Sequence, residues 1–285
     1  MDRIARGRLA ACRDAFAAHL TRQADDPEAL DGLGRALWWL GRPREGVERR
    51  REAYAQYRRR GETLAAANLA TYLAAECRIA GDSAAANGWL ARAERLLSDV
   101  APCVEQGWIE VERAKRAVGK PAEQERHARA AIALAQELKD ADLEAAALAQ
   151  LGLARVDAGD TEGGLTLLDE AMTTATGGEA SDPLSIGDTC CTTLVACDRL
   201  ADFARASEWC REVVEFTGRR GFTPLHLWCR TVYAGVLTAT GDWERAEREL
   251  LWSLRGYEQL GSGSRVFALA RLADLRVRQG RLGDA

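Results

Sequence analysis

Residues 241–247, Gly241-Asp242-Trp243-Glu244-Arg245-Ala246-Glu247, stand between two runs that both read as helix, and looser copies of the stretch return along the chain. Upstream lie GRPREGVE at Gly41, GDSAAAN at Gly81, GKPAEQE at Gly119 and GDTEGGL at Gly159, and downstream GRLGDA at Gly280. The glycines fall roughly 40 residues apart, and Ala201 in RLADFARAS divides the one double interval. A period of this size is the mark of a solenoid, in which a unit cannot bury its apolar face alone and stacks on its neighbours.

Ahead of each glycine, apolar and small residues recur at helical spacing, as in Leu30, Leu33, Gly34 and Leu37 or Leu148, Leu151 and Gly152. After it comes a second amphipathic run, as in Ala246, Leu250, Leu251 and Leu254 or Gly164, Leu168 and Ala171. Glycine suits the point where the first helix stops, because it takes the left-handed conformation at least cost. Asp82, Asp160 and Asp242 follow and can accept the first free N–H groups of the next helix. The expected fold is all-α: a right-handed superhelical solenoid of about seven helical hairpins with a period near 40. Residues 1–26 read as an N-terminal capping helix and 27–285 as the repeat domain, whose last unit supplies only its first helix.

The pattern Leu30-x-x-Leu33-Gly34-x-x-Leu37 followed by Gly41, Gly46 and Ala53 resembles the tetratricopeptide repeat with lengthened units. Glu112 and Leu194 depart from it by occupying the small-residue position, and the unit from about 104 to 143 is the weakest. Longer segments, among them NGWLARAERLL (87–97), EQGWIEVERA (105–114), GGLTLLDEAM (163–172), IGDTCCTTLVACDRLADFARASEWCREVVEFT (186–217) and CRTVYAGVLTATGDWERAERELLWSL (229–254), resemble the helical-repeat regions of LuxR-type transcriptional regulators. That resemblance implies a regulatory region that precedes a C-terminal DNA-binding helix-turn-helix, which residues 1–285 do not contain. The unpartnered last helix implies a chain that continues past Ala285, or a homodimer through that uncapped end.

Charge excludes other classes. Against 43 Asp plus Glu stand 39 Lys plus Arg, a formal net charge of −4, so no overall field draws nucleic acid or an anionic membrane to this segment. No apolar run reaches the ~20 residues of a membrane span, and MDRIARGRLAACRDAF lacks the apolar stretch of a signal peptide, which points to the cytoplasm. Eight cysteines without paired spacing read as reduced thiols. Cys190, Cys191 and Cys197 share one helix and read as core packing; zinc would need four converging ligands. His19, His127 and His226 fall in different units, Gly119-Lys120 is followed by Pro121 and so makes no phosphate loop, and no cofactor is expected. The Arg-rich 42–61 segment interleaves Glu45, Glu48 and Glu52 and reads as a solvated helix face. The connector TGGEASDPLS (176–185) reads as inert scaffolding, with a place over the concave surface as the alternative.

First helices of successive units line the concave surface of such a solenoid. Placing positions three and four apart toward it gives Arg35, Trp38, Asn68, Thr71, Arg78, Gln106, Arg113, Arg116, Asp188, Asp198, Trp228 and Thr231 as groove-binding candidates, with Cys191 beside Asp188. The first half of that groove is basic and polar; the second is acidic and aromatic. The expectation is a non-catalytic region that senses a peptide, a protein or a small anionic effector in the groove. A standalone scaffold is the alternative, and an enzyme with Asp188 or Asp198 acting near Arg113 is a further one.

Overall fold

A computed structural model describes residues 3–220, 223–260 and 264–284. Its order is α1 (Arg3–Leu20), then six hairpins. These are α2 (Pro27–Trp39) with α3 (Pro43–Arg60), α4 (Thr63–Ile79) with α5 (Ser83–Leu96), and α6 (Val104–Arg116) with α7 (Pro121–Leu138). They continue with α8 (Ala141–Asp157) and α9 (Thr161–Gly177), α10 (Pro183–Leu200) and α11 (Phe203–Arg220), and α12 (Thr223–Thr240) and α13 (Trp243–Leu260). The last helix, α14 (Arg265–Arg278), precedes a single 3-10 turn, Leu282–Asp284. The chain is a helical solenoid, with no strand among the described residues.

The hairpin turns have the chemistry the period predicts. Gly41, Gly81, Gly119, Gly159, Gly241 and Gly280 all lie at φ between 74° and 93°, and Ala201 takes the equivalent place at φ 53° despite its Cβ. Asp82, Asp160, Asp202 and Asp242 each accept a backbone N–H three residues on, from Ala85, Gly163, Arg205 and Arg245 at 3.1–3.3 Å. Pro27, Pro43, Pro121 and Pro183 open helices, where a missing N–H costs no bond.

Within a hairpin the two helices meet at small residues. A Cβ on Gly152 would stand 2.8 Å from the Gly164 carbonyl oxygen, and one on Gly164 would stand 2.7 Å from that of Gly152. Gly34 and Gly46 repeat this contact at 2.8 and 2.7 Å. One period upstream of Gly152 and Gly164, the same register holds Glu112 and Gln124, both buried.

The superhelix coils far enough for α2 to touch α12 and for α1 to touch α11. Leu260, at the end of α13, lies over Gly41, where a Cβ would come within 1.9 Å of it. At the other end α14 packs on α13 and α12 and leaves Val266, Leu269 and Val277 exposed along one side.

Candidate functional site

The first helices α4, α6 and α10 converge on the concave side around one small cavity. Asn68, Thr71, Tyr72 and Ala75 reach it from α4, Trp108, Glu112 and Lys115 from α6, and Asp182, Ser185 and Asp188 from the start of α10. Each set repeats at three or four residues, so one face of each helix is used. The cavity volume is about 20 Å³, room for a water or two and for no larger ligand in this conformation.

A ladder of ion pairs crosses it. Glu112 accepts from Lys115 at 2.8 Å and from Arg78 at 3.0 Å, and Lys115 also reaches Asp188. Burial pushes the Glu112 carboxyl up, but Lys115 and Arg78 overcome it and hold it at about 2. Burial likewise opposes the charge on Lys115, and Asp188 with Glu112 more than restores it. On the α2–α3 side Arg50 is buried, bridges Asp31 at 2.9 Å and Glu76, and stacks over Tyr72 at 4.9 Å. Behind the ion pairs, Gln124 donates to Gln150 and Gln150 to Thr192, both at 3.1 Å.

The 176–185 connector is not inert scaffolding, as the sequence reading favoured. The Ser181 and Asp182 backbone N–H groups donate to the Asp142 carboxylate at 3.0 and 2.9 Å, and the Ser185 hydroxyl donates to the Asp142 carbonyl at 2.7 Å. This pins the connector over the start of α8 and turns Asp182 inward. There its carboxylate caps α10 through the Ser185 N–H at 2.9 Å and meets Arg35 of α2 at 3.3 Å. Arg35 also lies 5.8 Å over the Tyr72 ring. Burial raises the Asp182 carboxyl above its ordinary value, with Ser185 and Arg35 opposing.

Five of the twelve sequence candidates gather here: Asn68, Thr71 and Asp188 line the cavity, and Arg35 and Arg78 pair with its acids. Trp38 is half-buried on α2 beside the buried Trp39. On α6 the register differs from the sequence reading. Gln106 caps its own helix and bonds the Leu97 and Val100 carbonyls at 3.3 Å; Arg113 binds Glu94 of α5 at 3.0 Å, and Arg116 binds Asn87 of α5. The concave face of α6 instead carries Trp108, Glu112 and Lys115. Asp198 meets Arg271 of α14 at 3.5 Å, Trp228 stands edge-on to Phe267 with ring centroids 5.1 Å apart, and Thr231 is buried and donates to the Leu227 carbonyl. Neither Asp188 nor Asp198 is paired with Arg113, so the acid–base grouping of the enzyme alternative is not assembled. Among the described residues no three His, Cys, Asp or Glu side chains are placed to hold a metal ion, and no helix is long and apolar enough to cross a membrane.

Tyr72, Trp108, Lys115 and Asp182 were missed. The signal for one of them was the anomaly at Glu112: a carboxylate in the small-residue position demands a cation one turn away, and Lys115 is three residues on.

No family model matches the sequence, and no curated protein does. Solved structures are similar in fold. The apo form of RapI is 11% identical with a TM-score of 0.52, over 82% of this chain and 72% of RapI. Yeast Tom70 is 14% identical with a TM-score of 0.50, over 98% of this chain and 53% of Tom70. A signal-transduction ATPase with numerous domains and a tetratricopeptide-repeat sensor, PH0952 from Pyrococcus horikoshii, is 15% identical with a TM-score of 0.51, over 93% of this chain and 41% of PH0952. The chain thus spans about half of Tom70 and two fifths of PH0952. These likenesses define its class: a tetratricopeptide-like helical solenoid.

Proposed function

We propose that this solenoid is a non-catalytic binding region that takes a peptide or protein segment in its concave groove, as part of a LuxR-like transcriptional regulator. The observation that carries the binding reading is the convergence of Asn68, Tyr72, Trp108 and Lys115 on one concave face. Asparagine offers paired donor and acceptor to a peptide backbone, and the two aromatic rings offer rigid contact area. The regulator reading rests on the sequence resemblance. Asp182 on Arg35 bridges the groove from α10 to α2, so a partner enters by parting this contact, and the opened groove is the state a downstream domain would sense.

Panning a random peptide display library on the purified chain tests the binding reading. Binders should lose at least tenfold in affinity to the Trp108→Ala and Asn68→Ala variants, whose melting should stay within a few degrees of the parent. Binders indifferent to both variants would refute the groove assignment. Native mass spectrometry of the protein as purified separates a retained small effector from a peptide partner. The natural reading frame beyond Ala285 decides the regulator reading: a helix-turn-helix there supports it, and a stop codon sinks it.

A further inference from the structure

Four cations stand at the groove, and three of them are held by carboxylates of their own or the next hairpin. Arg50 bridges Asp31 and Glu76, Arg78 pairs with Glu112, and Lys115 pairs with Glu112 and Asp188. Arg35 is the exception. Its side chain is 44% exposed, against 4% for Arg50 and 9% for Lys115. Among the described residues it makes one hydrogen bond, from Nη2 to a single Asp182 oxygen at 3.3 Å. A guanidinium carries five N–H donors in a fork that matches a carboxylate, so most of this fork is unfilled. The Tyr72 ring lies beneath it, 5.8 Å from ring centroid to guanidinium carbon, and gives the fork a fixed platform.

Asp182 reaches Arg35 from 147 positions away along the chain. Its segment is pinned by Asp142, which accepts the Ser181 and Asp182 N–H groups. The other Asp182 oxygen caps α10 through the Ser185 N–H at 2.9 Å, so only one oxygen serves Arg35.

We propose that Arg35, seated on the Tyr72 ring, is the subsite for an Asp or Glu side chain of the peptide taken in the groove, and that Asp182 occupies this subsite in cis as an intramolecular substitute. The inference rests on the peptide-binding reading and names the chemistry of the peptide. An incoming carboxylate presents both oxygens to the guanidinium and replaces a single bond by two. Asp182 can yield because its cap on α10 uses the oxygen that Arg35 does not touch, so release leaves the helix start intact. Burial already disfavours the Asp182 charge, which makes it the weaker competitor. Asn68 lies one turn before Tyr72 on the same face of α4 and lines the same cavity, in place for the peptide backbone beside the acid. A basic side chain meets Arg35 with like charge and leaves Asp182 where it is.

The test titrates a synthetic copy of a selected Trp108-dependent binder against the full chain by fluorescence anisotropy. The binder should contain Asp or Glu. Arg35→Gln should weaken it roughly tenfold, the size of one charge-assisted contact. Replacing the peptide's acid by its amide should cost as much, and the two changes together should cost no more than either alone. Asp182→Asn, which keeps a capping oxygen on α10, should tighten the acidic peptide roughly threefold, as for release of an exposed ion pair, and leave the amide peptide unchanged. Trp108-dependent binders that lack an acid, or that ignore Arg35→Gln, would overturn this inference and leave the groove reading standing. An acidic binder that Asp182→Asn does not tighten would overturn the role of Asp182. A library that yields no Trp108-dependent binder removes both the groove reading and this one.

Discussion

The third and fourth hairpins occupy neighbouring places in one solenoid and solve the same contact in opposite ways. In α8–α9 the crossing is made by Gly152 against Gly164, backbone on backbone, and Leu168 fills the remaining space with no exposure. In α6–α7 the same register holds Glu112 and Gln124, and both are as buried as the glycines' neighbours. The glycine crossing gains close packing and dispersion. The polar crossing takes a carboxylate out of water and is tolerable because Arg78 and Lys115 meet it. The difference explains why the repeat pattern is weakest in the third unit, and why the polar cavity of the groove opens there.

The largest effect should come from breaking the polar crossing. Lys115→Met leaves Glu112 with Arg78 alone and Asp188 without its buried cation, so it should cost about 3–5 kcal/mol in urea unfolding. A variant within ~0.5 kcal/mol of the parent would show that the ladder contributes nothing.

The same crossing should make the third hairpin acid-labile. The Glu112 carboxyl is depressed in the folded chain to about 2 from an ordinary 4.5, so its contribution is whole above the ordinary value and is lost as pH falls toward 2. Amide exchange followed down this range should show α6 and α7 opening before α8 and α9. In Lys115→Met, with one cation gone, the acid-dependent loss should shrink.

Next in size is the glycine crossing. Gly152→Ala pushes a methyl against a carbonyl oxygen that cannot give way, which should cost about 1–3 kcal/mol as overpacking does elsewhere. An unchanged midpoint would mean that α8 and α9 slide apart freely.

The smallest expected change is a gain. Ala201 bears a Cβ in the left-handed conformation that glycine holds at the other turns. Ala201→Gly relieves about 1–2 kcal/mol of that strain and gives back about 0.5–1 kcal/mol in unfolded-state entropy, a net stabilisation of several tenths. A destabilised variant would show that this turn is held by contacts the other turns lack.

Much of this was legible in the chain. Each hairpin turn is decided within a few residues: a left-handed glycine or, once, Ala201; an aspartate that caps the next helix at four turns and a proline that opens it after Gly41 and Gly119; and apolar positions three and four apart. Such local determinants recur with the period, so hairpin count and topology follow from them, and even the Ala201 substitution is placed by the ruler. The groove register was less legible. Asn68, Thr71 and Asp188 fell where the spacing puts them, but on α6 Glu112 holds the small-residue position, which removed the anchor for the register, and Arg113 and Arg116 turn to α5 instead.

By itself the sequence determined a helical solenoid of period near 40, because hydrogen bonding and capping act over a few residues. Only the tertiary structure decided that α2 returns to α12, that Asp182 leans across to Arg35, and that Lys115 passes α8 to reach Asp188. Those contacts depend on the small rotation between successive units, summed around the superhelix. That sum is set by how side chains pack between hairpins, and no single repeat records it.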